Sequence, residues 1–131
     1  MFDRVFQFNR EIVGIGSRQL KAFSEPEKKW MVGVLREEAA ELESSEDLVD
    51  QVDALVDSII FAVGGLSRLG LTSVEAYQCF SAVMAANFEK KAGSKAGRVV
   101  EGVADAVKPT GWVGPEERIK SILARGPYEQ D

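Results

Sequence analysis

Two neighbouring segments of this chain repeat apolar residues at the helical spacing of three and four, and both set carboxylates inside the apolar arc. That combination constrains the fold more than any other feature, because a helix hides its apolar stripe and hides an acid lying in it as well. In LREEAAEL, Leu35 to Leu42, at about 100° per residue, Glu38 falls at the centre of the arc holding Met31, Val34, Leu35 and Leu42. Glu41 lies on its edge and Glu37 to one side. In DQVDALVDSIIF, Asp50, Asp53 and Asp57 form one stripe, flanked by Val49, Val56 and Ile60 on one side and Phe61 on the other. Asp is a poor interior helix residue, since its short side chain competes for backbone hydrogen bonds. Attraction to the positive helix end explains Asp47 and Asp50, fades for Asp53 and fails for Asp57, about two turns further in.

The rest of the chain is read in the same period. Phe2, Val5, Phe6, Asn9, Ile12 and Val13 predict a first helix, loosened at Gly14 and Gly16. Ser24 with Glu27 is a capping box that opens a second helix through about Ser44. A third starts near Glu46 or Asp47 and ends around GGLSRLGL, and Thr72 with Glu75 caps a fourth that ends before Gly93. Strand signals are weak. From Gly93 to Pro115 the glycines and prolines predict a loop-rich segment with one short helical turn, followed by a terminal helix from Glu116 to Ala124 and a frayed tail. The fold class is therefore all-α, a bundle with a core of about four helices and a loop-rich C-terminal segment, in one domain spanning 1–131. Its apolar faces, with Trp30, Phe61 and Tyr77 added, exceed what one thin bundle hides, so a homodimer or homotetramer is expected.

Packed antiparallel across the short SSED link, the two acid-bearing helices would set Glu38 and Glu41 against Asp53 and Asp57. Such a cluster repels itself unless protons or cations intervene. The chain has no histidine and a single cysteine, Cys79, which rules out a disulfide within one chain and a four-cysteine zinc site. Oxygen ligands alone point to Mg²⁺ or Mn²⁺, and the loop signature of Ca²⁺ is missing. A metal-free cluster that shares protons is the rival reading. On the fourth helix Asn87 shares the apolar face of Phe80, Val83 and Met84, with Lys91 and Lys90 on its two borders. Singly these are a satisfied core amide and lysines that suit a helix C-terminus. Beside an acidic metal nest, they read better as groups that orient and neutralise phosphate oxygens.

With 16 Lys and Arg against 21 Asp and Glu, a net charge of -5 argues against direct nucleic-acid binding through charge alone. No basic segment followed by a long apolar run opens the chain, so no membrane partner and a cytoplasmic location are expected. AGSKAG, Ala92 to Gly97, lacks the spacing and the preceding strand of a phosphate-binding P-loop.

Taken together, EEAAE (Glu37, Glu38, Glu41), DQVDALVD (Asp50, Asp53, Asp57), NFEK (Asn87 to Lys90) and KPTGW (Lys108 to Trp112) resemble the MazG-like all-alpha nucleoside triphosphate pyrophosphohydrolases. The likeness spans roughly Arg36 to Trp112, and the ending narrows it to small phage or bacterial members, for which the host cytoplasm is the setting of a phage-encoded protein. The resemblance implies cleavage between the α and β phosphates with Mg²⁺ or Mn²⁺, in dimers or tetramers. It implies metal ligation by Glu38, Glu41, Asp53 and Asp57. Many members use an E-x-x-D spacing that appears here only as Asp50-x-x-Asp53, which leaves Asp50 and Asp57 as alternatives. Glu37 matches the acid that aligns the attacking water. Lys90 and Lys91 would neutralise the leaving pyrophosphate, Asn87 and Lys108 would contact substrate, and Trp112 would cover the base or simply pack. A narrower similarity, in size and ending, is to the phage branch that converts dGTP to dGMP. Pyrophosphohydrolysis of a phosphoribosyl nucleotide or dinucleotide is the alternative within the enzyme class, and a non-enzymatic helical interaction protein the alternative outside it.

Overall fold

Capping chemistry carried in the sequence sets most of the helix boundaries in the computed structural model, which describes residues 1–95, 97–98 and 100–124. The first helix, α1, spans Phe2–Phe8 and runs into a π-helical turn, Asn9–Val13, which Gly14 closes in the left-handed region at φ 81°. Helix α2, Glu25–Ser44, opens on a closed box: the Ser24 hydroxyl accepts the Glu27 backbone N–H at 3.3 Å, and the Glu27 carboxylate accepts the Ser24 N–H at 3.2 Å. Asp47 starts α3, Leu48–Arg68, by accepting the Asp50 N–H at 2.8 Å. Thr72 and Glu75 repeat the reciprocal box, at 3.1 and 2.8 Å, ahead of α4, Ser73–Asn87. A short helix, α5, covers Glu116–Leu123. The expected tail lies outside the described residues.

The chain divides into two compact units, one from Met1 to Ala76 and the other beginning at Tyr77. In the first, α2 and α3 pack against each other and α1 packs on α3. A Cβ at Gly65 would lie 3.1 Å from Met31 Sδ, so Met31 of α2 faces Gly65 of α3. Glu38 faces Asp57 by the same reckoning, and the paired numbers fall on one helix as they rise on the other, which makes the pair antiparallel. One residue earlier a Cβ at Gly64 would lie 3.3 Å from Asn9 Nδ2, and that amide donates to the Gly64 carbonyl at 3.2 Å. Two successive glycines thus let the π-helical turn and α2 both approach α3 closely. Phe2, Val5, Phe6, Ile15, Met31 and Val63 are buried in this unit, and Ala54 is buried further along α3. Along the first half of α3 the apolar residues Val49, Val52, Leu55, Val56 and Ile59 stay exposed in the single chain. Among the described residues no single helix is long and apolar enough to cross a membrane.

The second unit departs from the sequence expectation. Where a loop with one helical turn is expected, Lys91–Gly93 (β1) and Asp105–Val107 (β2) form an antiparallel two-stranded ladder, with Lys91 opposite Val107 and Gly93 opposite Asp105. Strands of three residues are too short to show alternation. Gly93, which reads as a loop residue, sits where a Cβ would come within 2.7 Å of Val107 Cγ2, a close cross-strand approach that only glycine permits. Arg98 bonds Asp105 at 2.9 Å beside the ladder.

Candidate metal centre

The acidic stripes of α2 and α3 meet in the first unit. Glu38 is only 7% exposed, whereas Glu37 and Glu41 on the same helix are open to solvent. One carboxylate oxygen each from Glu38, Glu41 and half-buried Asp57 lie within 4.8 Å of one another. Glu38 Oε2 is fully covered and has no hydrogen-bond partner, the one such buried side-chain atom among the described residues. No lysine or arginine among those residues forms an ion pair with the three acids. The Glu38 carboxyl is accordingly pushed up to about 6, first by burial, then by the Glu41 carboxyl through hydrogen bonding and charge, and then by the charges of Asp57 and Asp53.

A covered, unpartnered carboxylate oxygen facing two more carboxylates is satisfied by a proton or a cation. Three carboxylates with no nitrogen or sulfur donor fit a hard divalent ion, Mg²⁺ or Mn²⁺, better than a softer metal. Asp53 is exposed and reaches the centre through its charge. Asp50 is exposed in the first turn of α3, its backbone N–H held by Asp47. Of the pair the sequence leaves as alternatives, Asp57 stands in the triad.

In the second unit the structure gathers three of the remaining residues. The ammonium groups of Lys90 and Lys108 each lie 5.0 Å from the centroid of the Trp112 ring. The indole Nε1–H donates to the Ala86 carbonyl at 2.7 Å and fixes the ring on α4. Asn87, next in the chain, is half-buried, and Lys91 lies exposed in β1. Two cations on one indole each gain cation–π attraction while repelling one another, and an anion between them relieves that repulsion.

Periodicity alone does not reveal which oxygen is orphaned. A signal was present in the link, however: a connection as short as 45–47 makes α2 and α3 antiparallel neighbours, so their acidic stripes can meet. The structure brings Asp57 to Glu38 and Glu41 in this way. No family model matches the chain, and no curated protein or solved structure is significantly similar to it.

Proposed function

We propose that the protein is a metal-dependent nucleoside triphosphate pyrophosphohydrolase that releases a nucleoside monophosphate and pyrophosphate. The observation that carries this reading is the covered Glu38 Oε2, without a partner and facing Glu41 and Asp57. The chemical class and the roles below rest on that centre together with the resemblance of the acidic, NFEK and KPTGW motifs. The narrower likeness in size and ending makes dGTP, converted to dGMP, the first substrate to try, with the other canonical triphosphates beside it.

Glu38, Glu41 and Asp57 would hold the divalent ion, with Asp53 and Asp50 adding negative charge beside it. Bound there, Mg²⁺ or Mn²⁺ supplies polarisation of the α-phosphate and a more acidic water. Glu37 orients the attacking water and accepts its proton as the new bond to the α-phosphorus forms and the bond to the bridging oxygen breaks. Lys90, Lys91 and Lys108 meet the charge that develops on the leaving pyrophosphate. Asn87 donates to a phosphate oxygen, and Trp112 offers an apolar face to the nucleotide. The exposed apolar residues of α3 are assigned to contact with further copies in a dimer or tetramer, and the protein is assigned to the cytoplasm.

The test is product analysis on a panel of canonical and modified nucleoside triphosphates with Mg²⁺ and with Mn²⁺. Monophosphate with equimolar pyrophosphate, abolished in a folded Glu38→Gln variant, is the expected result. A folded, metal-loaded protein that turns over no triphosphate refutes the proposal.

A further inference from the structure

The first unit has a second concave feature at the other end of the α2–α3 pair from the carboxylates. It is a cavity of about 120 Å³ lined by Phe6, Arg10, Ser17, Arg18, Ser67 and Ser73, among others. Its walls are built rather than incidental. The segment after Gly14 returns across the corner between α3 and α4, where the Lys21 N–H donates to the Leu69 carbonyl at 3.1 Å. Gly70, at φ 94°, lies so close under the Gln19 carbonyl that any Cβ would collide with it.

Phe6, Ile15 and Leu71 give the lining an apolar floor, and its polar groups share one chemical character. Arg10 and Arg18 supply two guanidinium groups, and Ser17, Ser67 and Ser73 supply hydroxyls. Ser67 is 8% exposed and lines the cavity. The first turn of α4 also opens here. Its capping box occupies the Thr72 and Glu75 N–H groups, which leaves those of Ser73 and Val74 as the remaining donors of a positive helix end. Arg18 is held by Glu27 at 3.3 Å, and Arg68 stands close enough to Arg18 for the two charges to repel. Two carboxylates stand nearby: Glu27, shared with Ser24, and buried Glu75, which accepts the Thr72 N–H. The cavity lining itself therefore holds two arginines and no carboxylate, in a chain whose net charge is -5.

We infer that this cavity is a binding site for a small oxyanion of phosphoryl size, held by Arg10, Arg18, the Ser67 hydroxyl and the first turn of α4, and separate from the metal centre. Ser67 lies ten residues beyond Asp57 on α3, about 15 Å along the helix axis. The inference does not depend on the proposed enzymatic activity. Free phosphate and the phosphate of a nucleoside monophosphate share this chemistry.

The test uses the metal-free Glu38→Gln full-length chain, so that loss of the metal centre and loss of this site remain distinguishable. Inorganic phosphate is titrated against chloride at matched ionic strength while the backbone amide signals of Ser73 and Val74 are followed by NMR. Saturable shifts at those amides are expected, with affinity about tenfold weaker after Arg10→Gln, the scale of one charge-assisted hydrogen bond. Ser67→Ala, which removes only a hydroxyl, should weaken binding severalfold and guards against a folding defect in the arginine variant. A nucleoside monophosphate that binds more tightly than phosphate identifies a nucleotide as the source, and equal affinity identifies free phosphate. Shifts no larger with phosphate than with chloride, or unchanged by both substitutions, overturn the inference.

Discussion

The two ends of the α2–α3 pair handle charge in opposite ways. At one end Glu38, Glu41 and Asp57 converge with no ion pair to a lysine or arginine among the described residues, and one covered oxygen has no partner there. At the other, Arg18 is held by Glu27 at 3.3 Å and the Arg68 guanidinium lies 4.1 Å from the centroid of the Trp30 ring. At the basic end Arg18 and Arg68 have partners within the chain, whereas the covered Glu38 oxygen has none among the described residues. Protein interiors seldom leave such a group without compensation, so the acidic end requires a proton or cation, while the basic end can add an oxyanion to the partners it already has.

The largest effect should follow from removing the central acid. Glu38→Gln keeps the shape of the side chain and its place in the helix, so helicity by circular dichroism should be preserved. Turnover should fall by roughly 10²-fold or more, the scale of losing a group that stabilises transition-state charge. Near-wild-type turnover in this variant would erase the contrast between the ends.

Divalent cations sharpen the same contrast without any substrate. An ion at a hundred times its dissociation constant stabilises the folded state by about 2.7 kcal/mol, which in a chain of this size raises the thermal midpoint by several degrees. The rise should be seen with Mg²⁺ or Mn²⁺ at pH 7, should shrink below pH 5 as Glu38 protonates, and should vanish in Glu38→Gln. A rise that persists in the variant places the ion elsewhere.

In the metal-free protein the two ends should respond to pH with opposite sign. The Glu38 carboxyl is raised from 4.5 to about 6, so the folded state binds its proton more tightly than the unfolded chain. That contribution is complete below pH 4.5 and lost as pH rises through 6. Glu27 is held below its usual value, first by the Ser24 backbone N–H, then by the Ser24 hydroxyl and Arg18, so its contribution is present above pH 4.5 and lost in acid. Thermal midpoints measured from pH 3 to 7 should show both limbs. Glu38→Gln should flatten the neutral limb and Glu27→Gln the acidic one; an exchange of those assignments would mean the ends have been misread.

What the sequence disclosed follows from how local each cause is. Helices α2, α3 and α4 begin within a residue or so of their expected starts, because Ser24–Glu27, Asp47 and Thr72–Glu75 act over a single turn. The meeting of Glu38 with Asp57 was legible as a stripe, since helical period and a short link together fix which faces meet. The hairpin of β1 and β2 was not legible, because three-residue strands carry no period and Gly93 looks like a loop residue until Val107 is placed against it. The π-helical turn at Asn9 was hidden for a related reason: it interrupts the period in order to aim an amide at Gly64, a partner 55 residues away. The basic cavity had no sequence signature at all, as its residues come from a loop, the end of α3 and the start of α4.

The smallest effect tests whether the Arg68–Trp30 contact at the basic end is independent of the metal centre. Arg68→Lys keeps the positive charge near Arg18 but replaces a planar guanidinium over Trp30 with a compact, strongly hydrated ammonium. With Trp30 itself 45% exposed, the cation–π contact lies at the weak end of its range, and the expected loss is about 0.5–1 kcal/mol in urea unfolding. Because the change lies in the half of α3 away from the carboxylates, turnover and the Mg²⁺-induced rise in midpoint should stay within error of wild type. A drop in turnover larger than the stability loss explains would mean that the arginine end is coupled to the metal centre, and that the two ends of the pair act as one site.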